Sequence, residues 1–225
     1  RKASNNQEVL KYFKNETGVN FSIINGKEEA RLTLLAVKHA LKRERINSSK
    51  FILLDIGGGS TEIIINDNEK YEAHSFDFGI VTMTQKYLKY HDLHLDLNLR
   101  KKEIKIFLDS LNIKLNEYTF VATAGTPTTI AAVKLGQDFF SYDRNIVNGT
   151  IVNLNDLQNC LSIFENSSKE DITKLVGRGR VEFIEVGIFI YKMIFEVLEK
   201  NESIVLDDGL REGVALNYCL NTCKA

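Results

Sequence analysis

From Phe51 onward the hydrophobic pattern suits strands. FILLDI is a continuous apolar stretch, GGGS a turn, TEIIIN a second buried run, Asp67-Asn68 another turn, and KYEAHSFDF a third strand. Three strands joined by tight turns predict an antiparallel meander. Upstream the period is helical. Ser4 precedes a run with Val9, Leu10 and Phe13 on one face, which predicts an N-capped helix ending near Gly18. Val19 to Ile24 alternates as a short strand would, and Asn25-Gly26 then turns the chain into EEARLTLLAVKHALKRE, whose basic end suits a helix C-terminus.

Beyond the meander the pattern predicts helices near Val81 to Tyr90 and Leu99 to Ile113, the strand YTFVATA, and the helix TTIAAVKL. A strand at Ile146 to Val152 follows, then helices near Leu157 to Phe164 and Val181 to Leu198, the strand SIVL, and a last helix from about Leu210. The core order is strand, strand, strand, helix, strand, helix, strand, helix. That order predicts an α/β layer fold of the actin-like, ribonuclease-H-like type rather than a doubly wound dinucleotide fold. Pro127 is the only proline, and no low-complexity run marks a flexible linker. The best internal boundary lies near Asn25 to Glu29.

Composition narrows the functional classes. The chain has 225 residues, 44% of them hydrophobic, and a formal net charge of -1, so it can bury a core but has no global positive field for nucleic acid or an anionic membrane. Any polyanion must be held by a local site. Cys160, Cys219 and Cys223 are too few for a disulfide scaffold and form no Cys-x-x-Cys pair, which predicts a reducing, cytoplasmic setting. The first residues lack a signal-peptide apolar run, and no stretch of about 18 apolar residues predicts a membrane helix.

Asp55 closes a buried strand, and Gly57, Gly58 and Gly59 then let the backbone turn with its amides exposed. Ser60 and Thr61 add hydroxyls, and Glu62 begins the return strand. Glycine amides can cradle phosphate oxygens, and the flanking carboxylates can hold a divalent ion. An ordinary hairpin turn is the competing reading, and the carboxylates and hydroxyls favour phosphate. A second glycine turn, Ala124-Gly125-Thr126, precedes a helix whose N-terminus suits an anion, although a plain strand-to-helix connection fits equally. Two such turns facing one cleft suggest a ligand with several phosphates.

Glu28 and Glu29 begin the long helix, where carboxylates ordinarily stabilise the dipole. One pointing into a phosphate cleft could activate water; spacing does not tell which. Capping explains Asp207 or Asp208, and Arg211 could pair with a carboxylate. Gly177-Arg178-Gly179-Arg180 is a basic spot that suits either phosphate or solvent. His39, His74, His91 and His94 show no zinc spacing.

INGKEEARL, FILLDIGGGSTEII, FDFGIVTMTQKYL, ATAGTPTTIAA and LDDGLREGV, in this order, resemble the exopolyphosphatase/guanosine pentaphosphate phosphohydrolase family of the actin-like superfamily. The resemblance implies Mg²⁺-dependent hydrolysis of the terminal phosphate of polyphosphate or guanosine pentaphosphate, in a cleft between two actin-like domains. It implies that Glu29 is the catalytic base and that Asp55, Gly57 and Glu62 belong to the phosphate and metal corner, with Asp55 and Glu62 as metal ligands and Glu62 also serving catalysis. Gly58, Gly59 and Ser60 would complete the phosphate turn, Gly125 and Thr126 would face phosphate from the second, and Arg211 and Glu212 would be mainly structural. Arg31 and Arg180 are candidate contacts along a polyphosphate chain.

The family normally opens with an N-terminal subdomain carrying a DxGSNS-type hairpin, which this sequence lacks. Residues 1–27 therefore resemble the tail of such a subdomain, and 28–225 the second actin-like domain. The expectation is a phosphoanhydride hydrolase, inactive or weak without its other half and prone to homodimerise through the face left exposed. A non-catalytic polyphosphate or alarmone-binding module is the alternative. Glu29 beside an intact DIGGGSTE favours the enzyme, because a binder needs no water-activating base.

Overall fold

The computed structural model describes residues 4–47, 49–87 and 90–222, the side chains of 90–92 excepted; Cys223 and the His91 side chain lie outside. Helix α1 (Asn6–Thr17) ends at Gly18, whose φ of 71° is the left-handed conformation that glycine adopts without strain. Its N-cap is Asn5 rather than Ser4, with no side-chain capping bond. Residues 19–25 form no regular element. The strand expected at Val19 to Ile24 is absent because alternation needs a partner: Val19, Phe21 and Ile23 are 51%, 55% and 44% exposed, with no strand beside them among the described residues.

Helix α2 (Gly26–Arg43) starts where Asn25 accepts the Glu28 amide and buries Ala30, Leu34, Val37 and Leu41 on one face. The meander follows as expected, with β1 (Lys50–Ile56), β2 (Thr61–Asp67) and β3 (Lys70–Phe76) antiparallel. Two helices, α3 (Ile80–Lys86) and α4 (Tyr90–Ser110), carry the chain to β4 (Thr119–Thr123). Then come α5 (Gly125–Lys134), α6 (Arg144–Val147), β5 (Thr150–Asn153), α7 (Leu154–Glu165), α8 (Lys169–Val176), α9 (Ile184–Leu198), β6 (Glu202–Val205) and α10 (Leu210–Thr222).

The sheet order is β3-β2-β1-β4-β6-β5. Strands β1, β4 and β6 are mutually parallel, and β5 returns antiparallel on the outer edge of β6. This is the mixed actin-like layer fold, with β5 added between the expected helices. Within the stretch expected as a strand at Ile146 to Val152, residues 144–147 are helical and pairing with β6 begins at Thr150. Helix α8 went unpredicted, although Ser168 caps it by accepting the Asp171 amide.

Strand alternation divides the core. Ile52, Leu54, Ile63 and Ile65 join the larger cluster on the α5 and α9 side, whereas Phe51, Leu53 and Ile64 join α2 on the other. Helix α10 packs along α2 on that second side. Asp55 and Glu62 continue the second set by the two-residue period, so the sheet brings both carboxylates to the end nearest the start of α2.

Candidate active site

The glycine corner between β1 and β2 is braced from within. The Gly57 amide donates to the Ser60 carbonyl at 2.9 Å, which closes the turn. The carbonyls of Gly57 and Gly58 accept the amides of Ile80, Val81 and Thr82, satisfying the first turn of α3. Gly79 makes this possible, since a Cβ there would lie 2.5 Å from the Gly57 oxygen. The first turn of α3, admitted by Gly79, therefore braces the corner. Of the three glycine amides expected at phosphate, that of Gly57 is engaged inside the turn. Gly58 and Gly59 are exposed at its tip, and their amides donate to no other described residue.

Asp55 and Glu62 stand directly opposite each other in the β1–β2 register. Glu62 is 3% exposed, and its Oε1 accepts hydroxyls from Ser60 and Ser75, each at 2.7 Å. Burial, followed by the negative charge of Glu62 and of Glu29, pushes the Asp55 carboxyl up to about 7. Three carboxylates thus meet at one end of the sheet.

The two glutamates of α2 divide their roles. Glu28 receives a bidentate pair from Arg31, Nε at 2.8 Å and Nη2 at 2.7 Å, and Arg31 continues to the Asn217 side chain on α10. Those hydrogen bonds hold the Glu28 carboxyl below its ordinary range. Glu29 instead lines a cleft of about 280 Å³ with Asp55, Gly125, Arg180, Asp207 and Arg211. Of the two candidate basic residues, Arg31 is committed to Glu28, and Arg180 lies at the cleft.

On the far wall, α5 begins after Ala124, whose φ of 75° and ψ of -175° fall in a region normally reserved for glycine. The Arg180 guanidinium covers Gly125, its Cζ 3.8 Å from where a Cβ would sit. Arg180 makes no ion pair with another described residue. Thr126 is 1% exposed and its hydroxyl lies against Gly187 of α9, so its side chain packs into the core and leaves only its backbone at the turn. A small residue at 187 is what lets α9 approach that closely.

The segment after β6 does more than cap α10. Asp208 is buried and takes Arg43 Nη1 and Nη2 at 3.2 and 2.8 Å, with Arg144 Nη2 at 3.3 Å from the same carboxylate. Thr123 Oγ1 donates to the Asp208 carbonyl, tying the segment to β4. Asp207 turns into the cleft, and burial raises its carboxyl pKa. Glu212 accepts the Gly209 amide, as a structural residue should, whereas Arg211 is mostly solvent-exposed along the cleft. Sequence spacing alone could not separate these neighbours.

The donor set at Asp55 and Glu62 is hard oxygen, and its accumulated negative charge suits a divalent cation. Among the described residues no group of three or more His, Cys, Asp or Glu side chains is placed to enclose a metal. Mg²⁺ usually binds through one or two carboxylates, water and substrate phosphate, so this set fits it. No helix is long and apolar enough to cross a membrane among the described residues.

A mixed sheet of this order, carrying glycine corners beside a carboxylate cleft, defines an actin-like α/β protein. The chain belongs to the Ppx/GppA phosphatase family, whose model matches residues 1–222. It is 25% identical over 206 residues to exopolyphosphatase 2 of Mycobacterium tuberculosis, covering 87% of this chain and 63% of that one. Against the guanosine-5'-triphosphate,3'-diphosphate pyrophosphatase of Aliivibrio fischeri it is 28% identical over 225 residues, covering 95% and 42%. The chain therefore spans less than two thirds of these relatives. The crystal structure of the Aquifex aeolicus Ppx/GppA family member superposes with a TM-score of 0.74 at 28% identity, covering 98% of this chain and 71% of that one.

Proposed function

We propose that this chain carries the water-activating half of a phosphoanhydride hydrolase acting on the terminal phosphate of polyphosphate or guanosine pentaphosphate. The supporting observation is that Glu29, not Glu28, shares a cleft with Asp55, the Gly125 turn and Arg180. Glu29 is the base that takes the proton of the attacking water, a role worth about 10²- to 10⁴-fold in rate. The exposed Gly58–Gly59 tip and the start of α5 receive phosphoryl oxygens, and Arg180 offsets their charge. Asp55 and Glu62 would hold Mg²⁺, which when bound neutralises charge on the phosphate. Glu62 is held by the Ser60 and Ser75 hydroxyls directly opposite Asp55 in the strand register.

Residues 1–27 are proposed as the tail of a preceding subdomain that closes the cleft, and 28–225 as the second actin-like domain. Helix α1 buries no residue, and Tyr12, Phe13 and Phe21 remain exposed as a surface that such a subdomain would cover. The test is Mg²⁺-dependent phosphate release from long-chain polyphosphate and from guanosine pentaphosphate, run on this chain, on the chain with an N-terminal subdomain supplied, and on each with Glu29→Gln. Release abolished by Glu29→Gln supports the hydrolase. Binding without release in the two-domain form would replace it with the binding-module reading.

A further inference from the structure

The six-stranded sheet has a free edge at β3, since no described strand lies on its outer side. The two-residue turn Asn68-Glu69 closes the β2–β3 hairpin at the Asp67–Lys70 pair, so Lys70, Glu72, His74 and Phe76 exchange hydrogen bonds with β2. By the two-residue period, the amides and carbonyls of Tyr71, Ala73 and Ser75 point away from the sheet. A groove of about 600 Å³ is lined by residues 71–75 and by Gly26, Lys27 and Ala30 of α2. Glu72 and His74 project to the face opposite Tyr71, Ala73 and Ser75, so only a groove along the edge touches all five.

Proteins usually block such an edge with proline, a bulge or charge. Strand β3 has no proline, and its pairing with β2 runs without a bulge from Phe76 to Lys70. Its charges are of mixed sign, and they complement a second copy of the same strand. In a two-fold antiparallel register centred on Ala73, that alanine faces its own equivalent, Tyr71 faces Ser75, and Glu72 faces His74. The last is a non-hydrogen-bonded pair, where side chains come closest, and the imidazole N–H can donate to the carboxylate. Neither Glu72 nor His74 has a hydrogen bond or ion pair from its side chain to another described residue. Within residues 71–75 this register sets no like charges opposite each other, and the small Ala73 leaves the axis free for close approach.

We propose that two copies of this chain associate edge to edge through β3, antiparallel and centred on Ala73, which joins their sheets into one. About six main-chain hydrogen bonds cross the interface, with a Glu72–His74 pair on each side of the axis. The surface involves none of the apolar residues exposed on and after α1, and the inference stands without the phosphate chemistry. It meets the candidate site at Ser75: the residue whose hydroxyl holds Glu62 has its main chain fixed by the second copy.

Sedimentation velocity on the full chain over a wide concentration range should show a monomer–dimer equilibrium, with exchange of the Ala73 amide slowing as the dimer fills. Ala73→Pro removes an outward N–H that the chain's own sheet does not use, so it should fold normally and raise the dissociation constant about 10-fold or more. Glu72→Lys should also weaken the dimer, and adding His74→Glu to it should restore association by reversing the pair. That exchange reads the register even if the proline variant fails to fold. A chain that stays monomeric throughout overturns the proposal. A dimer unchanged by both Ala73→Pro and Glu72→Lys also overturns it, and assigns association to another face.

Discussion

Gly213 of α10 lies directly on the Leu32 carbonyl of α2, so close that a Cβ at 213 would overlap the Leu32 backbone. The two helices touch main chain to main chain, and that contact sets where the first turn of α2 stands relative to the sheet. Glu29 is one turn from Leu32. The glycine of DGLREG is therefore a positioning device for the candidate base, fixed through packing.

Gly213→Ala is expected to push α10 and α2 apart, costing about 1–3 kcal/mol as overpacking does. It should also lower phosphate release more than a stability loss of that size explains, because Glu29 shifts with α2. Chemical denaturation and turnover measured on the same preparation check this. A variant with unchanged turnover would show that Glu29 is not set by this contact.

Exchanging the two glutamates separates base from brace. Glu29→Gln should reduce turnover by at least about 10²-fold with little change in unfolding temperature. Glu28→Gln should keep turnover within a few-fold, since it removes only the Arg31 pair and its reach to Asn217. The reverse ranking would assign the base to Glu28.

The meander, the long second helix and the glycine corners were legible in the sequence because each rests on local rules: period, turn chemistry and capping. What the sequence hid depends on distance along the chain. Nothing local distinguishes Glu28 from Glu29, and only folding shows that Arg31 claims the first. The same holds for Arg180, which reaches Gly125 from 55 positions away in the sequence, and for Thr126, whose hydroxyl looks inward only because Gly187 admits it. The alternation of Val19 to Ile24 misled for the opposite reason: a period of two describes a strand only when a neighbour accepts its hydrogen bonds.

Ala124 stores strain at the start of α5. Ala124→Gly should relax it, gaining roughly 1 kcal/mol after the extra chain entropy of glycine is set against a strain of about 1–3 kcal/mol. A rise of about 2–4 °C in unfolding temperature is expected for a chain of this size. If the strained start of α5 holds the phosphate-facing amides in register, turnover falls as stability rises. A lower unfolding temperature would show that the alanine methyl contributes packing that outweighs its backbone cost.

Asp208 links acid stability to the site. Its side chain is 5% exposed, and that of its partner Arg43 42% exposed. Burial alone would raise the Asp208 pKa, but hydrogen bonds from Arg43 and the charges of Arg43 and Arg144 outweigh it and leave it below the ordinary 3.8. A carboxyl depressed on folding contributes stability that is present above its unfolded pKa and disappears as pH falls through the folded value. Asp208→Asn should therefore cost roughly 2 kcal/mol near pH 6, less than the ~3–5 kcal/mol of a wholly buried pair because Arg43 is partly hydrated. The difference between the two proteins should shrink below pH 3.8, where the unaltered chain loses the same charge. Urea unfolding at pH 6 and near pH 3 measures it. A gap that stays constant across that range would mean Asp208 acts through hydrogen-bond geometry alone and carries no charge-dependent share of the fold.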